Sequence, residues 1–120
     1  NIVLVGSQNA VNFSTRILEN FPSYNIVSCI SKFSFVQTTE IIRKAQILIC
    51  CDGGLMHSAN AVKTPIVPLF AGLTEQMQLT KSITAFSLFD SKNVNNILVN
   101  DVLIKFNEAA IYVDNHPQFE

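Results

Sequence analysis

Short apolar runs alternate along the chain with segments in which apolar residues recur every three or four positions. A short continuous run is typical of a β-strand, whereas the wider spacing is typical of an amphipathic helix. The runs predict strands at residues 2–5, 26–30, 45–51, 66–70 and near 83–89. The spaced segments predict helices at residues 9–21, 35–45 and 55–62, and a last helix that Asn100 or Asp101 caps.

Particular residues are expected to form the buried sides of these elements. Residues 45–51 are apolar except for Gln46, which predicts a strand buried on both faces. Ser34 precedes the second helix and is a candidate N-cap. The expected inner faces of three helices are Val11, Ile17, Leu18 and Phe21 for the first, Val36, Ile41 and Ile42 for the second, and Val102, Leu103, Phe106 and Ala110 for the last.

This alternation of strands and helices predicts an α/β fold. The expected architecture has three layers, in which a Rossmann-like parallel sheet carries helices on both faces, within a single domain over residues 1–120. In such sheets ligands bind at the carboxyl ends of the strands. Three loops with polar residues leave those ends, at residues 6–9, 52–57 and 71–76.

Composition excludes several classes of protein. Apolar residues make up 48% of the chain and charged residues 14%, which excludes a disordered chain. The basic residues are dispersed and the net charge is −1, which argues against nucleic acid as a partner. No apolar run reaches the roughly 20 residues that cross a bilayer. The chain opens on a predicted strand with neither Met nor a signal peptide, so we expect it to be a piece of a longer protein.

Cys29, Cys50 and Cys51 lie within apolar runs and are expected to be small buried hydrophobic residues. Adjacent strand residues point to opposite faces, so Cys50 and Cys51 are not expected to share a metal or a disulfide. A reducing, cytoplasmic compartment fits this cysteine usage best.

The loop after the third predicted strand carries the clearest candidate chemistry. Asp52 follows the strand expected to be the most buried, and its carboxylate could accept hydrogen bonds from sugar hydroxyls. Gly53 and Gly54 would let a ligand approach the backbone. A helix that begins at Leu55 would direct free amides and the positive end of its dipole at a pyrophosphate, with His57 as a further donor. The alternative is a turn that only connects strand and helix, with Asp52 as a helix cap.

The two other loops have weaker signals. Gly6, Ser7 and Gln8 follow the first strand, but without G-x-G-x-x-G spacing they do not indicate a dinucleotide site. Thr74 and Glu75 follow the fourth strand, and an ordinary solvated loop explains them at least as well. These residues are secondary candidates for ligand binding.

Residues 52–61 read D-G-G-L-M-H-S-A-N-A and are followed by T-P-I-V at 64–67 and L-F at 69–70. This pattern resembles the signature of glycosyltransferase family 9, the heptosyltransferases of bacterial lipopolysaccharide core assembly. The strand that ends at Gly6 and the helix at 34–45 also resemble the family. The resemblance implies the carboxyl-terminal half of a GT-B fold, in which two Rossmann-like domains face each other across a cleft.

The resemblance also implies roles for individual residues. Asp52 would bind sugar hydroxyls of a nucleotide-sugar donor. The backbone amides at Gly53 and Gly54, together with His57, would hold the donor's phosphates, and the loop at Gly6 would border the nucleotide.

At the level of the whole enzyme, the resemblance implies a donor such as ADP-heptose, no cofactor and no required metal. A lipid-linked oligosaccharide acceptor would be bound by a second domain that also carries the catalytic base. No catalytic residue is therefore expected in this chain, which alone is expected to be inactive. The expected location is the cytoplasm, at the inner face of the inner membrane, with peripheral membrane association of the intact protein.

Two departures from the family pattern leave the donor open. Gly53 stands where the family usually has Thr or Ser, and Gln8, Asn9 and Ala10 occupy a stretch where the family has an acidic residue. Two other functions stay as alternatives. One is another GT-B-like enzyme such as a nucleotide-sugar epimerase, and the other is a non-catalytic, flavodoxin-like binding module.

Overall fold

The computed structural model describes residues 1–72 and 84–117. The chain divides into two compact units, Asn1–Glu40 and Ile41–Glu120. The strands of the described residues form a two-stranded and a three-stranded sheet, and every strand pair is parallel. The predicted α/β class is therefore confirmed. Within the described residues no helix is both long and apolar enough to cross a membrane.

The first unit contains a parallel strand pair with a helix in the connection. Its elements are β1 (Ile2–Leu4), a 3₁₀ turn (Gln8–Ala10), α1 (Val11–Asn20) and β2 (Ile26–Ser28). The predicted helix at residues 9–21 thus begins as a 3₁₀ turn and becomes α-helical at Val11. The second strand is shorter than predicted because it pairs with β1, and β1 has only three residues.

The next helix, α2 (Phe35–Lys44), begins with a reciprocal capping arrangement. The backbone amide of Gln37 donates to Ser34 Oγ at 3.1 Å, and the backbone amide of Ser34 donates to Gln37 Oε1 at 2.9 Å. Two amides that have no partner inside the helix are satisfied in this way. The predicted N-cap role of Ser34 is confirmed.

The second unit contains the three-stranded sheet, in the order β3-β4-β5. Its further elements are β3 (Leu48–Cys51), α3 (Gly54–Ala61), β4 (Ile66–Ala71), β5 (Leu88–Asp90), a 3₁₀ turn (Val94–Asn96) and α4 (Val99–Asn115). The N-cap position of α4 is Leu98, so the prediction that Asn100 or Asp101 caps this helix is wrong. Asp101 lies instead in the first turn, where a carboxylate still interacts favourably with the helix dipole.

The core of the second unit lies around β4, because β4 is the central strand. Ile66, Val67 and Phe70 have no solvent exposure. Met56 and Ala59 of α3 are equally buried. The prediction that the strand at 45–51 is buried on both faces is wrong, since Ile49 of β3 keeps 47% of its surface exposed. β3 has a paired neighbour on only one side in the strand order, whereas β4 is paired on both.

The expected inner faces of the helices are only partly correct. Ile42 of α2 is buried, but Val36 is 72% exposed, and on α4 Leu103 is 52% exposed. Leu18 of α1 and Phe21 at its carboxyl end are also exposed. Small residues occupy the buried positions instead, namely Ser14, Thr38 and Ala109. Small side chains let a helix approach its neighbours closely, and the larger apolar residues are left at the margins.

Candidate functional site

Asp52 is held in place by the end of the three-stranded sheet. The backbone amide of Asp52 donates to the carbonyl of Leu69 at 3.1 Å, which continues the β3–β4 ladder by one residue. The side chain of Asp52 is exposed. The sheet therefore fixes the backbone of Asp52 and presents its carboxylate to solvent at the carboxyl end of β3.

The amino end of α3 follows directly. Gly53 is the N-cap residue in a nearly extended conformation, with φ 157° and ψ −169°, and no side chain caps the helix. Asp52 therefore does not cap this helix, and the alternative that assigned it this role is wrong. A Cβ atom built on Gly53 would meet no atom within 4 Å, so the space over the turn is open.

The first turn of α3 offers backbone donors. The first intrahelical bond runs from the amide of His57 to the carbonyl of Gly53 at 3.3 Å. The amides of Gly54 and Leu55 precede it and have no carbonyl partner within the helix. Met56, at the same turn, is fully buried and anchors the helix against the sheet. Rigid, unpaired amides at the positive end of a helix dipole form an anion site.

The side chains of His57 and Leu55 flank these amides. His57 is exposed and can turn toward a ligand, whereas Leu55 is half-buried and contributes through its backbone. The structure therefore brings Asp52, Gly53, Gly54, Leu55 and His57 together at one strand end, as predicted from the motif.

The two cysteines before Asp52 have different environments. Cys51 is exposed, which contradicts the prediction of a buried residue, while Cys50 and Cys29 are half-buried. Burial, followed by the charges of the neighbouring Cys51 and Asp52, raises the pKa of the Cys50 thiol to about 12. Cys50 is therefore protonated at neutral pH and is not a nucleophile. The exposed thiol of Cys51 beside Asp52 was missed, although the alternation of strand side chains could have indicated it.

The loop after β1 lies in the first unit and is tied to the turn after β2. The carbonyl of Gly6 accepts from the amide of Ser31 at 2.9 Å, and Ser31 Oγ donates to Gln8 Oε1 at 2.7 Å. Ser7 Oγ donates to Asn9 Oδ1. A Cβ atom on Gly6 would lie 3.1 Å from Ile30 Cδ1, so close packing explains this glycine without a ligand.

Thr74 and Glu75 lie outside the described residues. Gly72, just before them, has φ 80°, a left-handed conformation that favours glycine at the end of β4. No group of three or more His, Cys, Asp or Glu side chains in residues 1–72 and 84–117 is arranged to hold a metal ion.

Comparisons with known proteins agree with the motif. The family model of glycosyltransferase family 9 (heptosyltransferase) matches residues 1–97. Among solved structures, the chain is similar to the ADP-heptose LPS heptosyltransferase II of E. coli, with a TM-score of 0.73 and 20% sequence identity. The similarity covers 93% of this chain and 37% of that chain, and at this identity it shows a shared fold. Comparison with curated protein sequences finds no match.

Proposed function

Because the chain belongs to glycosyltransferase family 9 (heptosyltransferase), we propose that it is the donor-binding domain of a sugar transferase of lipopolysaccharide core assembly. The single observation that carries this proposal is the pairing of an exposed carboxylate, Asp52, with the uncapped amino end of α3. A nucleotide sugar has the complementary groups, hydroxyls on its sugar and a negatively charged diphosphate next to them.

The proposed binding mode assigns one task to each part of the turn. Asp52 accepts hydrogen bonds from sugar hydroxyls, and a carboxylate forms stronger bonds than a neutral acceptor. The amides of Gly54 and Leu55 donate to the diphosphate, and His57 contributes a further donor. Gly53 leaves room for the sugar because it carries no side chain.

In the proposed reaction an acceptor hydroxyl attacks the anomeric carbon of the donor sugar. The bond from that carbon to the diphosphate breaks, and the diphosphate leaves with the electron pair. Negative charge grows on the leaving group, so the amides of α3 stabilise the transition state more than the ground state. The proton of the acceptor hydroxyl goes to a base outside this chain. The turn thus binds the donor and assists its departure, and the chain alone is inactive.

The proposed partners and location follow from this reaction. The donor is ADP-heptose or a related nucleotide sugar, and no cofactor takes part. The acceptor is a lipid-linked oligosaccharide, bound by a second domain of the intact enzyme. The intact enzyme would work in the cytoplasm, in peripheral contact with the inner face of the inner membrane, where such an acceptor is displayed.

Replacing Asp52 tests the binding mode. We expect Asp52→Ala to abolish detectable binding of the donor, because the sugar hydroxyls lose a charged acceptor worth about 1.5–3 kcal/mol per bond. The measurement is calorimetry with the nucleotide sugar that gives the largest thermal shift in a panel of ADP-, UDP-, GDP- and CMP-sugars. Asp101→Asn, which removes an exposed carboxylate from α4, is the matched control and should bind normally. Unchanged affinity in Asp52→Ala contradicts the assigned role.

The same panel separates the alternatives. A flavodoxin-like binding module predicts no thermal shift with any of the nucleotide sugars. An epimerase predicts a free, altered sugar when the intact protein is incubated with its donor. A transferase predicts a lengthened acceptor, which mass spectrometry of the lipid fraction detects.

A further inference from the structure

A cavity of about 530 Å³ opens in the second unit at the amino ends of β3 and β4. Its walls come from the end of α2, the turn between α3 and β4, and the last turn of α4. Asp52 follows the carboxyl end of β3, so the cavity lies at the opposite ends of the same strands. Its volume is in the range of small-molecule sites, and it is separate from the proposed donor site.

Positive side chains dominate the lining. Arg43, Lys44 and Lys63 line the cavity together with Asp114. Three of the eight Lys and Arg residues thus gather in one place, in a chain whose net charge is −1. Nowhere in residues 1–72 and 84–117 does Lys44 or Lys63 form an ion pair with a carboxylate. The charges of Lys44 and Lys63, which no carboxylate of the described residues pairs with, favour an anionic ligand.

Tyr112, His116 and Thr84 form another part of the cavity wall. The rings of Tyr112 and His116 stack with their centroids 4.0 Å apart, and His116 Nδ1 lies 2.9 Å from the carbonyl oxygen of Tyr112. Thr84 Oγ1 donates to the Tyr112 hydroxyl at 3.3 Å, which leaves that hydroxyl its own proton to donate. The wall is thereby ordered without a ligand and offers a polar donor.

Lys63 occupies a backbone position that does not favour lysine. The amides of Lys63 and Thr64 donate back to the carbonyls of Asn60 and Ala59, which closes α3 with a Schellman motif. Lys63 is the residue of this motif that must be left-handed, with φ 63°. Glycine is preferred there because it has no Cβ atom. A lysine nevertheless occupies this position, at the edge of the cavity that it lines.

Cations near helix carboxyl ends also interact favourably with the helix dipole. Arg43 and Lys44 lie in the last turn of α2, and Lys63 follows α3. Such a role needs neither a cavity nor a ligand. Stabilisation of the helix ends is therefore the alternative to ligand binding for these three cations.

We propose that this cavity binds a phosphate group, held by Lys44, Lys63 and Arg43 and contacted by the Tyr112 hydroxyl. The phosphate can belong to a small phosphorylated molecule or to the headgroup of a lipid, since the recognising chemistry is the same. This site does not depend on the proposed donor site, because it uses different residues at the other ends of the strands.

The first experiment is a titration of the isotope-labelled chain with inorganic pyrophosphate, followed by amide chemical shifts. Binding in the cavity predicts saturable shifts at Lys44, Lys63 and Thr84. Pyrophosphate is also expected at the amino end of α3 if the proposed function is correct, and the amides of Gly54 and Leu55 report that event. Failure of one proposal is therefore distinguishable from failure of the other.

Variants at Lys63 separate ligand binding from helix stabilisation. Lys63→Gly removes the cation and relieves the left-handed backbone, so we expect about tenfold weaker pyrophosphate binding or more, with an unchanged or higher midpoint of thermal unfolding. Lys63→Arg keeps the charge and should retain binding. Lys92→Glu, which reverses an exposed charge outside the cavity, should leave the affinity unchanged.

Vesicles identify the source of the phosphate. A lipid headgroup is the ligand if the chain sediments with vesicles of mixed phosphatidylglycerol and phosphatidylcholine but not with vesicles of phosphatidylcholine alone. The Lys63→Gly variant should then no longer sediment with the mixed vesicles. Pyrophosphate binding without sedimentation assigns the cavity to a free phosphorylated molecule. The proposal is overturned if neither probe depends on Lys63, or if Lys92→Glu weakens binding as much as Lys63→Gly does.

Discussion

At the scale of single residues, the two adjacent cysteines illustrate how strongly one position along a strand changes chemistry. Cys50 and Cys51 share a strand and a neighbour, Asp52. Their side chains point to opposite faces, so one thiol is half-buried and the other is exposed. Desolvation penalises the thiolate of Cys50 and, together with the charges of Cys51 and Asp52, raises the pKa of Cys50 to about 12.

This difference predicts selective alkylation. Iodoacetamide at pH 8 should modify Cys51 in the folded chain and leave Cys50 unmodified, because the thiolate is the reactive form and Cys50 remains protonated until the pH approaches 12. Peptide mass spectrometry measures both sites in one sample. In the urea-unfolded chain the raised pKa is lost and both cysteines should react. Equal modification of both residues in the folded chain would contradict the assigned burial of Cys50.

At the scale of elements, the turn between β5 and α4 is organised by one carboxylate. Asp90 Oδ2 accepts from the amides of Asn93 and Lys92 at 2.9 and 3.0 Å, and from Asn96 Nδ2 at 3.1 Å. The amide of Asn93, followed by those of Lys92 and Asn96, lowers the pKa of Asp90 below its ordinary value of 3.8. The charged form is the one that these donors stabilise.

This arrangement predicts a pH dependence of stability at the acidic end. The contribution of Asp90 should be fully present above pH 3.8 and should be lost as the pH falls through the lower pKa of the folded state, since the unfolded chain then binds the proton more readily. Urea unfolding between pH 5 and pH 2 measures it. Asp90→Asn should unfold more easily at pH 5 and show a flatter profile. A profile as steep as that of the parent chain would show that other carboxylates dominate.

At the scale of the whole molecule, burial follows the order of the strands in the sheet. β4 is paired on both sides, and its residues fill the core of the second unit together with α3. β3 looks at least as apolar in the sequence, yet it carries the exposed Ile49 and ends at the candidate site. Hydrophobicity along a strand therefore does not measure its burial here.

A matched pair of substitutions tests this assignment. Ile66→Val removes one methylene from a fully buried side chain and should lower the free energy of unfolding by about 1 kcal/mol. Ile49→Val makes the same chemical change at a site that is 47% exposed and should have a much smaller effect. Urea denaturation of both variants gives the comparison. A larger effect at Ile49 than at Ile66 would contradict the conclusion that β4 is the more deeply buried strand.

Much of the candidate site is local in sequence, which is why the pattern of residues 52–57 was sufficient to predict it. A strand end, two glycines and a helix start lie within six positions, so chain geometry alone brings them together. The capping of α2 by Ser34 is local for the same reason. The helix faces were harder to predict, since whether Val36 or Thr38 is buried depends on packing partners far along the chain.

The sequence by itself determined the order of strands and helices, the strand-to-helix turn at Asp52 and the family, because each of these is carried by neighbouring residues. Only the tertiary structure decided that β4 rather than β3 is central, that Cys51 is exposed, and that Lys63 joins Arg43 and Lys44 around one cavity. Those properties arise from elements brought together across long stretches of chain. Burial and local charge are sums over such neighbours, and no short pattern of residues contains them.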